Sequence, residues 1–264
     1  MNKSIIYALD FDGVICDSAI ETGITGWKAA TRIWSDMQGQ MAPDELVEKF
    51  RMVRPIIETG YEAILAMRLL FQDVSTTMIL DEFSKLKQQT LMESGKDIEY
   101  LKLLFGGIRD TWIQENLDEW VDMNPLFPSV ADKLRVINNQ GLCYIVTTKQ
   151  ERFVAQILKA SGIDLATDRI FGLDRKMSKV EVLTQLLEQH AHDEIHFVED
   201  RLPTLINVLA TDRLKSVKLA FATWGYNTAQ DKLKAQNLPV KSMGLEDRSE
   251  EHTSELQSRS DLVC

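Results

Sequence analysis

Apolar and polar positions change their spacing twice along the chain. Residues 4–10 (SIIYALD) contain five successive apolar positions, 5–9, which is typical of a central parallel strand buried on both faces. From about residue 20 to residue 121, apolar residues recur every three or four positions, which predicts amphipathic helices and no strands. One such stripe consists of Ile98, Leu101, Phe105, Ile108 and Trp112. Tryptophans at similar helical positions, Trp27 and Trp120 among them, are interpreted as core residues.

After Asn124-Pro125, short apolar runs alternate with amphipathic segments. We predict strands at 142–147, 169–171, 195–198 and 217–222, with helices between them, the first of which ends near Gly141. Strands joined by helices of this length imply right-handed crossovers and a parallel sheet. The sequence thus predicts an α/β fold interrupted by a helical insertion of about 100 residues.

Two capping-box patterns predict where helices begin. Ser18 followed by Glu21 predicts a helix just beyond the first strand, and Ser178 followed by Glu181 predicts one before the strand at 195–198.

The last segment, residues 248–264, has a different character. RSEEHTSELQSRSDLVC is polar and lacks any periodic apolar face. Its first eleven residues match the translation of a common sequencing-library adapter, so we interpret it as an artefact and exclude it from the fold. We expect the native C-terminus to be missing.

Composition narrows the classes of protein. The chain has 264 residues, of which 44% are hydrophobic and 27% charged, as in ordinary globular proteins. We expect no membrane association, because no apolar run is long enough to span a bilayer and the start lacks a signal peptide. A formal charge of −10 argues against nucleic-acid binding. Three cysteines without a disulfide or metal spacing favour a cytoplasmic protein.

Polar residues gather where the predicted strands end. The first strand ends in Asp10 and Asp12, and the second in Thr147 and Thr148. Lys179 opens the helix before another strand, which itself ends in Glu199-Asp200. Because the carboxyl ends of parallel strands meet at one edge of a sheet, we expect these groups to converge there.

Four motifs, in order and on these elements, resemble those of the haloacid dehalogenase superfamily. They are DFDGVICDS from Asp10, IVTTK ending at Lys149, SKVEVL from Ser178 and HFVEDRLPTL from His196. ATWGYN near Trp224 is similar to a segment of the phosphoglycolate-phosphatase-like branch. The resemblance implies a Rossmann-like core (residues 1–17 and 122–247) with an inserted all-helical cap domain (18–121).

The resemblance also implies a mechanism. Asp10 would attack phosphorus and form an aspartyl-phosphate, and Asp12 would act as general acid and base. Thr147 and Lys179 would stabilise the transferring phosphoryl group, with Gly13, Thr148 and Arg54 binding substrate. Mg²⁺ would be held by Asp10, the Asp12 carbonyl and Asp200, with Glu199 bound directly or through water.

Several alternatives stay open. Lys176 lies at a plausible distance before Asp200, although the Ser178 cap favours Lys179. Arg54 is also interpretable as an ordinary salt-bridged arginine, and Thr148 as a strand-end hydroxyl.

The predicted function is hydrolysis of a small phosphorylated metabolite by a monomer or homodimer. The alternatives are a phosphomutase, and a non-catalytic binding or regulatory member of the same fold. A haloalkanoic dehalogenase is disfavoured because Asp12 and Asp200 would have no use there.

Overall fold

The structure is a computed structural model that describes residues 4–140 and 143–245. It divides into two compact units, one formed by Met1–Cys16 with Leu126–Cys264 and the other by Asp17–Pro125. We call them the sheet unit and the helical unit, and describe each by itself. The predictions for Gly141, Leu142 and the tail at 248–264 lie outside the described residues.

The sheet unit contains a parallel sheet. Its strands are β1 (Ile5–Leu9), β2 (Cys143–Val146), β3 (Ile170–Phe171), β4 (Glu194–Glu199), β5 (Lys218–Ala222) and β6 (Lys241–Met243). They lie side by side in the order β3-β2-β1-β4-β5-β6, and each neighbouring pair is parallel. The predicted α/β fold with a Rossmann-like parallel sheet is therefore confirmed. The short edge strand β6 was not predicted, because three residues of mixed polarity carry no strand pattern.

Helices account for most of the remaining described residues. They are α1 (Ala19–Ala30), α2 (Asp44–Val53), α3 (Gly60–Phe71), α4 (Thr76–Ser94), α5 (Ile98–Glu115), α6 (Leu117–Asp122), α7 (Val130–Asn139), α8 (Glu151–Ala160), α9 (Lys179–Gln189), α10 (Leu202–Leu209) and α11 (Ala229–Ala235). Helices α1 to α6 form the helical unit, and α7 to α11 connect the strands of the sheet unit.

The central position of β1 explains its apolar sequence. Between β2 and β4, it is buried by the sheet and by the helices that connect the strands. On one face, Ile6 and Ala8 join a buried cluster with Leu183 of α9 and Leu205 of α10. Burial of such side chains contributes about 1.5–3 kcal/mol each for the larger ones, which makes this strand a main determinant of the sheet unit.

The helical unit has a core of its own. Trp27 of α1, Phe50 of α2 and Ile64 of α3 are fully buried within one cluster. Trp120 is also buried, as its interpretation as a core residue requires. No helix within residues 4–140 and 143–245 has the length and hydrophobicity required to cross a membrane.

One predicted helix start is wrong in its detail. Helix α1 begins at Ala19, but Ser18 makes no side-chain cap hydrogen bond. Glu21 does not close the predicted capping box, because its carboxylate is buried and accepts hydrogen bonds from Arg109 Nε at 2.7 Å and Trp120 Nε1 at 3.1 Å. A long-range ion pair thus replaces the local cap. By contrast, the capping box of Ser178 and Glu181 forms at the start of α9.

Breaking this buried pair should strongly destabilise the helical unit. In Arg109→Met the Glu21 carboxylate stays buried without its guanidinium, so we expect the free energy of unfolding to fall by about 3–5 kcal/mol. Urea denaturation followed by circular dichroism measures the change. Lys102→Met removes the exposed pair with Glu99 and should cost less than about 1 kcal/mol. Equal losses in the two variants would contradict the assignment.

Candidate active site

The loop after β1 places two aspartates at the carboxyl edge of the sheet. Asp10 follows Leu9 directly, and its backbone N–H donates to Val198 O at 2.9 Å, so β4 holds it in register. The next residues turn sharply, with the N–H of Gly13 donating to Cys16 O at 2.9 Å. Gly13 has φ +86°, and a Cβ there would collide with the Asp200 carboxylate and lie 2.9 Å from Tyr226 Cδ2. Only glycine fits this position.

The end of β2 brings a hydroxyl and an ammonium group to the same edge. Thr147 is buried, and its N–H donates to Phe171 O at 2.9 Å. Thr148 is exposed, whereas Lys149 is buried with its Nζ 3.0 Å from Asp12 Oδ1. Lys149 is the last residue of the second motif, and no role was predicted for it from the sequence. Its position three residues after the last residue of β2, Val146, was the signal that could have identified it.

The start of α9 brings Lys179 to Asp10. Lys179 Nζ lies 3.0 Å from Asp10 Oδ1 and 2.6 Å from Glu199 Oε2. Lys176, the alternative, is exposed and occupies a left-handed conformation (φ 55°) before the helix. Of these two lysines, Lys179 is the one that contacts Asp10.

The end of β4 contributes the second acidic pair. Glu199 and Asp200 are fully buried. Glu199 uses one carboxylate oxygen for Lys179, and its other oxygen accepts the N–H of Arg201 at 2.9 Å. Carboxylate oxygens of Asp10, Glu199 and Asp200 lie within 4.8 Å of one another. This separation is inside the span of about 6 Å that a shared metal ion requires of Asp10 and Asp200.

The loop after β5 holds Asp200 in place. The backbone N–H of Tyr226 donates to Asp200 Oδ2, and Asn227 Nδ2 donates to Asp200 O at 3.2 Å. A Cβ on Gly225 would collide with Gly13 O and with the Asp200 side chain. The ATWGYN segment therefore holds Asp200 through its backbone and side chains. The resemblance had identified this segment as a motif without giving it a role.

Burial and charge shift the ionisation of this cluster. Burial, as the largest effect, raises the pKa of Asp10 to about 7, although Lys179 opposes the shift; Glu199 and Asp12 add to it. Burial alone would lower the pKa of Lys179. The carboxylates of Asp10 and Glu199 outweigh burial, so the Lys179 pKa is raised and the side chain stays charged.

The charges of the cluster fit a divalent cation. Four carboxyl groups (Asp10, Asp12, Glu199 and Asp200) lie at this edge with two ammonium groups, of which Lys149 contacts Asp12 and Lys179 contacts Asp10 and Glu199. Excess negative charge in a buried site is costly unless a cation compensates it. Carboxylate oxygens are also the ligands that Mg²⁺ prefers. The residues present thus suit a magnesium ion.

Arg54 belongs to the helical unit. It is buried, and its Nη1 donates to Ile57 O at 2.9 Å. Its contribution to substrate binding stays a prediction, as does the role of the exposed hydroxyl of Thr148.

Comparisons with known proteins address the fold. No protein-family model matches the sequence, and a comparison with curated proteins finds no match. Solved structures do match. A predicted phosphatase from Clostridium acetobutylicum has a TM-score of 0.53 at 18% identity, covering 97% of this chain and 100% of its own. A haloacid dehalogenase-like family hydrolase from Streptococcus pneumoniae has a TM-score of 0.51 at 16% identity, covering 92% and 94%.

A third solved structure extends the same likeness. A predicted phosphoglycolate phosphatase from Haemophilus somnus has a TM-score of 0.52 at 18% identity, covering 88% of this chain and 92% of its own. Each of these matches covers at least 88% of this chain, so it includes residues of both the sheet unit and the helical unit. The chain therefore has the fold of haloacid dehalogenase-like hydrolases.

Proposed function

We propose that this chain is a magnesium-dependent phosphatase that hydrolyses a small phosphorylated metabolite through Asp10. One observation carries the proposal. Asp10, at the carboxyl edge of the sheet, lies against the Lys179 ammonium and within a cluster of buried carboxylates. A nucleophilic carboxylate, a fixed positive charge and a set of metal ligands are the parts that phosphoryl transfer needs. The fold that this chain shares with solved phosphatases and hydrolases supports the same function.

The reaction has two steps, and Asp10 and Asp12 take part in both. A carboxylate oxygen of Asp10 attacks phosphorus while the bond from phosphorus to the ester oxygen breaks, and Asp12 gives its proton to that oxygen. Asp12 then takes a proton from water, whose oxygen attacks the aspartyl-phosphate. The bond from phosphorus to Asp10 breaks, which releases inorganic phosphate and restores the carboxylate.

The surrounding residues stabilise the charge that is transferred. The ammonium of Lys179 lies beside Asp10, where it can balance negative charge shared by the nucleophile and the phosphoryl group. The hydroxyl of Thr147 can donate to a phosphoryl oxygen. When bound, Mg²⁺ supplies the charge that lets a phosphate dianion approach several carboxylates.

The metal ligands proposed are Asp10, the Asp12 carbonyl and Asp200. Both oxygens of Glu199 already accept hydrogen bonds, from Lys179 and from the Arg201 N–H. We therefore assign Glu199 to holding Lys179 in place and to contact with the ion through water.

A substrate panel tests the function. The chain is incubated with 4-nitrophenyl phosphate and with a set of phosphorylated metabolites, with Mg²⁺ or with EDTA. We expect inorganic phosphate to be released only with Mg²⁺, and one class of metabolite to be preferred. Absence of release from all substrates, or release unaffected by EDTA, would reject the proposal. Phosphoryl transfer to a second hydroxyl without phosphate release would indicate a mutase instead.

A further inference from the structure

Lys149 is a second lysine at the site, and it is buried. Its side chain is 1% exposed, and its Nζ lies 3.0 Å from Asp12 Oδ1. The backbone of Lys149 is fixed on both sides, because its N–H donates to Thr147 Oγ1 at 3.1 Å and its carbonyl accepts the N–H of Leu173 at 3.1 Å. The ammonium therefore projects from a rigid segment of the sheet unit.

The two lysines at this edge contact different carboxylates. Lys179 contacts Asp10 and Glu199, whereas Lys149 contacts Asp12. A buried ammonium is costly unless it has an acceptor, so Lys149 favours the arrangement in which Asp12 Oδ1 stays beside it, and this oxygen can accept whether or not the other one is protonated. Lys149 contacts Oδ1 of Asp12, and the Asp12 side chain is still 17% exposed and so accessible to a substrate.

We propose that Lys149 is a positioning residue: its ammonium donates to Asp12 Oδ1 and so fixes the carboxyl group, whose other oxygen carries the proton that is transferred to the leaving group. This inference rests on the proposed function, in which Asp12 protonates the ester oxygen. A proton donor is effective only when it lies within hydrogen-bond distance of the atom that it protonates, and small misplacements lower rates strongly. Lys149 thus acts through Asp12 and not on phosphorus.

The role predicts a dependence on the leaving group. A basic leaving group such as phenoxide needs the proton that Asp12 supplies, whereas 4-nitrophenoxide departs with little help. In Lys149→Met we expect kcat/KM for phenyl phosphate to fall by about 10²-fold, and kcat/KM for 4-nitrophenyl phosphate by roughly threefold. The two substrates are similar in size, so a general defect in binding would lower both alike.

Further variants separate positioning from folding. Lys149→Arg keeps the charge and should restore kcat/KM for phenyl phosphate to within about tenfold of wild type. Lys215→Met makes the same charge change at an exposed site and should leave both substrates unaffected. If Lys149→Met fails to fold, as judged by thermal unfolding, Lys149→Gln supplies the same comparison.

A double variant gives the decisive comparison. In an Asp12→Asn background, Lys149→Met should cause no further loss with phenyl phosphate, because the group through which it acts is already absent. A further loss there, an equal loss with both substrates, or no loss in Lys149→Met would each overturn the inference while leaving the proposed function intact. A wild type inactive on both substrates would overturn the two together.

Discussion

Asp10→Asn should lose at least about 10⁴-fold in kcat on 4-nitrophenyl phosphate with Mg²⁺ present. The amide is nearly the same size as the carboxylate, but it carries no negative charge and is a poor nucleophile toward phosphorus. It also removes one proposed metal ligand. Steady-state release of 4-nitrophenol measures the loss.

A matched substitution separates chemistry from folding. Asp193→Asn makes the same change just before β4, at the opposite edge of the sheet, where Asp193 accepts the N–H of Ser4 at 3.2 Å. Its kcat should stay close to that of wild type. Turnover surviving in Asp10→Asn, in protein with a wild-type circular dichroism spectrum, would show that another residue is the nucleophile.

The contribution of Asp10 to the stability of the metal-free protein should fall as pH rises from about 4 to about 7, and Mg²⁺ should oppose that fall. The Asp10 pKa is raised to about 7 from 3.8, so between these values the folded protein binds more protons than the unfolded chain. Stability contributed by the protonated carboxyl is therefore present below about pH 4 and is lost as pH rises through about 7. Mg²⁺ needs the ionised carboxylates, so its binding becomes stronger over the same range.

Thermal unfolding with and without Mg²⁺ checks this dependence. At pH 8 and a Mg²⁺ concentration about 100 times Kd, binding adds about 2.7 kcal/mol. This raises the midpoint by roughly 5–11 °C in a protein of this size. At pH 5 we expect a much smaller increase.

Asp200→Asn provides the control for the metal. It removes one of the three clustered carboxylates, so Mg²⁺ should no longer raise the midpoint at pH 8. Equal effects of Mg²⁺ at pH 5 and pH 8, or an unchanged effect in Asp200→Asn, would contradict the proposed ligand set.

Much of the sheet was predictable because its residues follow simple patterns. The apolar run of β1 and the alternation of strands and helices after Pro125 are strong signals, and parallel strands gather their carboxyl ends at one edge. That rule is sufficient to predict that Asp10, Thr147 and Asp200 lie together. The capping box of Ser178 likewise places Lys179 at the first turn of its helix, which is where the structure has it.

The missed features depend on contacts between residues distant in sequence. The Ser18 capping box is absent because Glu21 pairs with Arg109, and no local pattern reports a partner 88 residues away. The contact of Lys149 with Asp12 and the support of Asp200 by Tyr226 have the same character. Spacing predicts which elements form, whereas side-chain partners across elements depend on packing.

The central position of β1 has a consequence for synthesis on the ribosome. This strand is made before both of its neighbours, which pair with it through Cys143–Ile145 and Glu194–Val198 and are made much later. Until then its unpaired edges and apolar side chains are exposed, which is the condition that favours aggregation of nascent chains. We expect the growing polypeptide to depend on chaperones until β4 emerges, and the acidic cluster to form only after Asp200, at the end of β4, has been made.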